Sequence, residues 1–115
     1  MSITLSDLKK IIREVKEDVD FYEAKVYLES DRGRNLTLIL DQLRGVCGIT
    51  IVGVTGPAQP LSELKERTEL RVKFLPTSLS LKQHMKKMKV SARRVPGVYS
   101  FHVVEVHPVS RRGEA

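Results

Sequence analysis

Ala24-Lys25-Val26-Tyr27-Leu28 and Leu70-Arg71-Val72-Lys73-Phe74 share one pattern, and this repeated pattern decides the fold. In both stretches apolar residues alternate with residues that carry a polar tip, which is the period of a strand buried on one face. Two further stretches also match, because Arg44-Gly45-Val46 leads into an apolar run at 49–54 and Pro96-Gly97-Val98 leads into another at 101–106. The sequence therefore predicts two similar halves with two strands each.

A helix is predicted between the strands of each half. In the first half the helical stripe stops at Gly45, which we predict as the C-cap because glycine takes positive φ without a steric penalty; the stripe consists of Leu36, Ile39, Leu40 and Leu43. In the second half Ser80 and Gln83 form a capping-box pattern. Its stripe consists of Leu81, Met85, Met88, Ala92 and Val95. Each half thus reads strand, helix, strand.

Two such halves predict an α+β protein of ferredoxin-like βαββαβ architecture. Right-handed crossovers place the strands in a four-stranded antiparallel sheet with both helices on one face. The segment 55–67, after the apolar run at 49–54, is rich in Gly, Pro, Ser and Glu, and we predict it as an exposed loop. A chain of 115 residues is long enough for one such domain and too short for two.

An additional amphipathic helix is predicted at the N-terminus. Thr4 is its expected N-cap, and apolar residues recur at helical spacing from Leu5 to Val19, with charged residues between them. This stripe must pack against something, and it includes Leu8, Ile11, Ile12 and Val15. The predicted organisation is an N-terminal helix at 1–20, the ferredoxin-like domain at 21–109 and a flexible basic tail at 110–115.

The junctions Arg44-Gly45-Val46 and Pro96-Gly97-Val98 resemble those of ACT and heavy-metal-associated domains, over residues 24–107. The ACT resemblance implies a regulatory domain with a small ligand at a subunit interface. Heavy-metal-associated domains carry Cys-x-x-Cys in the first loop, but residues 30–35 contain no cysteine, so we expect no metal transport. The opening 3–14 resembles the N-terminal helix of small proteins encoded by marine tailed phages, which implies a phage origin and a structural role.

The positive charge is concentrated in the second half of the chain. Residues 1–68 contain 10 Lys and Arg and 11 Asp and Glu, whereas residues 69–115 contain 10 basic and 3 acidic residues, for a total net charge of +6. Residues 77–104 contain no acid. Such a surface suits nucleic acid, an acidic protein or an anionic membrane. The predicted anion-binding residues are Arg71, Lys73, Lys82, Lys86, Lys89 and Arg93.

No arrangement of residues predicts an enzyme, a metal or a cofactor. Strict alternation along the last strand would place His102 on the opposite face from Glu105 and His107, so the three would not converge on a metal. Cys47 is expected to be a buried small residue, and His84 a surface residue. The longest uncharged run is interrupted by glycine and proline, so no membrane span is expected. One cysteine and no signal-like start favour the cytoplasm, or a virion if the protein is phage-encoded.

The face of the sheet opposite the helices is the predicted interaction surface. Lys25, Tyr27, Val52 and Val104 are expected there, with Val54 and Val106 beside them, and Tyr27 as its one clear aromatic residue. A mixed apolar and basic face is seldom left bare. The sequence thus predicts a non-enzymatic structural or assembly protein that interacts with copies of itself or with other subunits. The alternatives are a nucleic-acid-binding accessory protein and an ACT-like regulatory domain.

Overall fold

The computed structural model describes residues 19–110. These residues form six elements, in the order β1 (Phe21–Asp31), α1 (Leu36–Cys47), β2 (Thr50–Pro60), β3 (Lys65–Phe74), α2 (Leu81–Arg93) and β4 (Val98–Val109). Nearly all of the predicted N-terminal helix and of the tail lie outside the described residues, including Leu8, Ile11, Ile12 and Val15.

The four strands form one antiparallel sheet in the order β2-β3-β1-β4. In the centre of the sheet, β1 pairs with β3 along its whole length, from Tyr22 opposite Phe74 to Asp31 opposite Lys65. The outer strands are β2 and β4. The predicted α+β class, with a four-stranded antiparallel sheet and two helices, is confirmed, and the strand order is compatible with a ferredoxin-like fold.

The hydrophobic core lies between one face of the sheet and both helices. Alternate residues of β1, from Tyr22 to Ser30, are buried, and the residues between them are partly exposed. The helices contribute Ile39, Leu43, Met88 and Ala92 to the same core cluster as these strand residues. Because one cluster contains both helices, they cover the same face of the sheet. We call the opposite side the open face.

The first helix is longer than predicted. It continues past Gly45 to Cys47, and Gly48 is the C-cap, with φ 64° in the left-handed region. At its start the Asn35 side chain accepts a hydrogen bond from the Thr37 backbone N–H, at 2.9 Å. The prediction of Gly45 as the cap was therefore wrong, because two glycines occur within five residues after Leu43, the last residue of the apolar stripe, and the pattern does not distinguish them.

The second helix starts where the capping pattern predicts. The Ser80 hydroxyl accepts from the Gln83 backbone N–H at 3.2 Å, which confirms Ser80 as the N-cap. Met88, Ala92 and Val95 are buried as predicted, although the helix itself ends at Arg93.

The predicted loop at 55–67 is mostly sheet. Strand β2 runs to Pro60 and β3 begins at Lys65, so only a short turn separates them. Gly56, with φ 73°, lies in a bulge where residues 56–58 of β2 oppose a single residue of β3. The glycine and the prolines of this segment belong to an edge strand with a bulge. Such a strand tolerates proline, and a bulge tolerates a glycine with positive φ.

Because of bulges, some residues of the outer strands lie on the opposite face of the sheet from the one predicted. One bulge shifts the pairing of β4 between Lys25 and Val26 of β1, so that Val106 lies opposite Ala24 and packs against the core. A similar shift in β2 sets Val54 opposite the buried Leu70. Val54 and Val106 are therefore on the helix side, because one inserted residue moves every later side chain to the other face.

Candidate nucleic-acid interface

Four cations of α2 form one stripe on its surface. Lys82, Lys86, Lys89 and Arg93 are four, three and four residues apart, and all four are exposed. At 3.6 residues per turn this spacing places them in one row, which extends roughly 16 Å along the helix axis. The buried residues Met88 and Ala92 lie on another side of the helix. The core therefore does not require this stripe to be basic.

The stripe has no acidic neighbours in the helix. No acid occurs in the sequence from Thr77 to Val104, and within residues 19–110 none of the cations of α2 forms an ion pair. Two more exposed cations, Lys87 and Arg94, extend the positive surface around the helix. We call these six residues the α2 basic band: Lys82, Lys86, Lys87, Lys89, Arg93 and Arg94.

The open face has a different charge pattern. Lys25 Nζ lies 3.1 Å from Glu69 Oε1, and Lys73 Nζ lies 3.7 Å from Glu23 Oε1. The hydrogen bond and charge of Glu69 raise the pKa of Lys25. The open face is therefore largely charge-compensated, which the prediction of an apolar and basic face did not include.

The predicted anion-binding residues lie on two separate surfaces. Arg71 and Lys73 belong to the open face of β3, whereas the stripe of α2 is on the helix side of the sheet. Val52 and Val104 are exposed at bulges in β2 and β4, the two opposite edges of the sheet. They do not form one apolar patch.

Three aromatic residues, rather than one, lie on the open face, and each has a cation over its ring. Arg67 Cζ and Lys25 Nζ lie 4.9 and 5.7 Å from the centroid of Tyr27. Lys73 lies 4.8 Å from the Phe21 ring, and Lys65 lies 4.8 Å from the Tyr99 ring. A nucleobase would have to displace these cations in order to stack there. Phe21 was missed because it precedes the predicted strand at 24–28. Tyr99 was missed because strict alternation would place it on the same face as Phe101, whereas a register shift between Ser100 and Val98 changes its face.

His102, Glu105 and His107 share the open face, contrary to the strict alternation used to separate them. The β4 bulge places them opposite Tyr27, Lys25 and Glu23, which are all open-face residues of β1. His107 Nε2 lies 3.7 Å from Glu105 Oε2, and both side chains are well exposed. Within residues 19–110 no three His, Cys, Asp or Glu side chains are arranged to bind a metal ion.

An open groove of about 570 Å³ lies between the end of α1, the β3–α2 loop and α2. Hydroxyl groups, an imidazole and one ammonium group give it polar sites, and aliphatic side chains form the rest of its wall. Its lining residues are Gly45, Val46, Cys47, Gly48, Leu75, Thr77, Ser78, Leu79, His84, Lys87, Met88 and Ser91.

Cys47 is the cysteine that lines this groove. It is buried as predicted, and its Sγ lies 3.5 Å from the Met88 carbonyl oxygen, to which the thiol donates. Burial raises the pKa of Cys47 to about 11. Since the thiolate is the nucleophilic form, the arrangement does not favour covalent chemistry at neutral pH.

His84 is half-buried, in contrast to the predicted surface position. Its ring packs edge-on against Phe74 with the centroids 5.1 Å apart. Burial, and secondarily the charge of Lys87, lower the pKa of His84. The lowered pKa favours the neutral imidazole, which offers one donor and one acceptor. The sequence does not predict that His84 lies beside a groove, because the groove forms between α2 and the end of α1, which are far apart along the chain.

Comparisons with known proteins found no matching family model and no matching curated protein. Among solved structures, the chain is similar to the solution structure of the C-terminal domain of the MgtC protein from Mycobacterium tuberculosis. The TM-score is 0.47 and the sequence identity 13%, over 83% of this chain and 93% of that chain. In the described part of the chain, neither helix has the length and apolar character needed to cross a membrane.

Proposed function

We propose that the protein binds nucleic acid through the α2 basic band, by contacts to the phosphate backbone that do not depend on base sequence. The observation that carries this proposal is the stripe of four exposed cations with no acidic partner among the described residues. Clustered Lys and Arg are sufficient for this kind of binding, because each phosphate contact releases condensed counterions.

The charge pattern favours α2 over the open face. On the open face acidic side chains lie next to the cations, as in the pairs Lys25–Glu69 and Lys73–Glu23, and they would repel phosphates. On α2 the acid-free stretch leaves six positive charges available. A polyanion therefore gains more by contacting the helix than by contacting the sheet.

The test measures binding of a fluorescent oligonucleotide by anisotropy as salt is raised from about 50 to 200 mM. We expect affinity to fall steeply, with a logarithmic slope of about −0.9 per phosphate contact on a duplex and about −0.7 on a single strand. Lys86→Glu combined with Arg93→Glu removes two of these contacts and should abolish most of the binding at the higher salt concentration.

A matched double variant separates local charge from total charge. Lys65→Glu with Arg71→Glu changes the net charge by the same amount, but on exposed residues of β3. We expect this control to retain most of the wild-type affinity. If both double variants lose affinity equally, net charge alone explains the binding and α2 has no special part in it. Binding that does not respond to salt would overturn the proposal.

Assembly through the open face and the N-terminal helix stays a prediction, as do a phage origin, an ACT-like ligand and a cytoplasmic location. Ile11→Asp or Ile12→Asp should change the molar mass of the folded protein by light scattering if the helix stripe is an interface. An unchanged mass in both variants would remove that helix from the assembly hypothesis.

A further inference from the structure

We infer that the groove beside α2 takes an unpaired base of a single-stranded nucleic acid whose backbone follows the α2 basic band. This inference rests on the proposed function and makes it narrower, because it commits the protein to single strands over duplexes. It assigns a role to a groove that phosphate contacts alone do not use.

The size and lining of the groove suit a nucleotide. Its volume of about 570 Å³ lies in the range of roughly 300–1,000 Å³ that is usual for small-molecule sites. A base is a flat, largely apolar ring system with donors and acceptors at its edge. The groove offers aliphatic side chains such as Val46 and Leu75 to the ring, and the hydroxyls of Ser78 and Ser91 to its edge, whereas the Thr77 hydroxyl already accepts from the Leu79 backbone N–H.

The ring of His84 adds a flat partner at the groove, with one donor and one acceptor in its neutral form. Its packing against Phe74 fixes the position of the ring, so little rotational freedom is lost when a ligand binds. Imidazole rings are among the groups on which proteins stack unpaired bases.

The cations of α2 connect the groove to the stripe. At 100° per residue, the four cations of the stripe lie on the flank away from the groove, and Lys87 and Arg94 lie on the groove side. The exposed neutral residues Gln83 and Val90 lie between these two groups, which together span about 160° of the circumference. Lys87 itself lines the groove, and Ser91 follows one turn later.

Because the cations of the band are distributed around the helix, we expect single strands and duplexes to bind it differently. A flexible strand can bend over the helix, keep its phosphates on the band and place one base in the groove. A rigid duplex touches only the outermost cations, and its bases are stacked and paired and do not enter the groove.

Gly45 allows the groove to be filled without disturbing the core. It lines the groove, its φ is not positive, and a Cβ added there has no heavy atom within 4 Å. Gly45→Phe therefore places a ring in the groove. Leu38→Phe is the matched control, because Leu38 is an exposed α1 residue, 59% accessible, that does not line this groove.

The experiment compares a single strand of about 12 nucleotides with the duplex of the same sequence, for wild type and both variants. We expect wild type to bind the single strand about tenfold more tightly, which is about 1.4 kcal/mol and is in keeping with the stacking of one base. Gly45→Phe should remove this preference and leave duplex affinity unchanged, whereas Leu38→Phe should retain it.

The outcomes separate the two proposals. Salt-dependent binding with equal affinity for both probes, unchanged in Gly45→Phe, would overturn the groove assignment and leave the phosphate-binding function intact. Loss of duplex binding together with single-strand binding in Gly45→Phe would overturn the assignment, because filling the groove would then not act on single strands alone, and a retained single-strand preference in that variant would overturn it as well. Absence of binding to either probe would overturn both proposals.

Discussion

Replacing Gly45 and Gly48 with alanine should change the stability of the protein in opposite directions. Gly45 lies inside α1, is exposed, and has open space where a Cβ would stand. Alanine there removes the entropic cost of a helical glycine, so Gly45→Ala should stabilise the protein by about 0.5–1 kcal/mol. Gly48 is the C-cap with φ 64°, a conformation that costs other residues roughly 1–2 kcal/mol.

The two variants differ by three positions in one helix, which makes each the control for the other. Urea unfolding followed by circular dichroism gives the difference in the unfolding midpoint, and an unchanged m-value shows that the denatured state is the same. At about 4 °C per kcal/mol, the melting temperatures of the two variants should lie roughly 6–12 °C apart. If Gly45→Ala were destabilising and Gly48→Ala neutral, the helix would end at Gly45, and the capping argument would be refuted.

Three other substitutions test close packing, buried polarity and pH dependence. Gly97→Ala should destabilise the protein by about 1–3 kcal/mol, because φ is 88° there and the added Cβ would overlap the Arg34 side chain. Adding Arg34→Ala should relieve the overlap but not the backbone strain, so urea unfolding should show that only part of the lost stability returns. Thr68→Val should stabilise by about 1 kcal/mol, because the Thr68 hydroxyl is buried with no hydrogen-bond partner among the described residues; a lower midpoint in urea would contradict this. The raised pKa of Cys47, about 11 against an ordinary 9.0, means that the native thiol holds its proton when the unfolded one has lost it, so its contribution to stability is complete below pH 9 and lost towards pH 11. Cys47→Ala should remove that loss, which a comparison of urea midpoints with wild type across this pH range would detect.

The regular part of the fold was predictable because its signals are periodic. Residues 24–28 and 70–74 alternate strictly, and both lie in the central strands, where one face is fully buried. The cation stripe of α2 was also predictable, since helical spacing fixes which residues share a side. Ser80 was found because a capping box is a local pattern.

The edge strands and the groove were not predictable from these signals. A bulge inserts one residue into a strand, and nothing around Val104 or Val52 distinguishes a bulged from a regular strand in the sequence. The faces predicted for Val54 and Val106 were incorrect because of these bulges. The groove joins the end of α1 to α2, with Cys47 and Met88 41 residues apart, and only tertiary packing brings them together.

The stripe of α2 should itself weaken the helix when no polyanion is bound. Lys82–Lys86, Lys86–Lys89 and Lys89–Arg93 are like-charge pairs at helical spacing, each destabilising by about 0.2–0.5 kcal/mol, or about 1 kcal/mol together. Salt should therefore raise the melting temperature of the free protein while it weakens binding. Lys86→Glu converts two of these pairs into attractive ones, so it should stabilise the protein and bind nucleic acid less tightly.

Opposite effects of one substitution on stability and on binding distinguish a binding surface from a surface that is basic only for solubility. The measurement is the melting temperature of wild type and Lys86→Glu at low and high salt, beside their affinities for one oligonucleotide. Lys86→Gln is the intermediate control, because it removes the repulsion without adding attraction. If Lys86→Glu lowers the melting temperature at low salt, the cations of α2 are stabilising contacts of the fold, and the argument that folding does not require them fails.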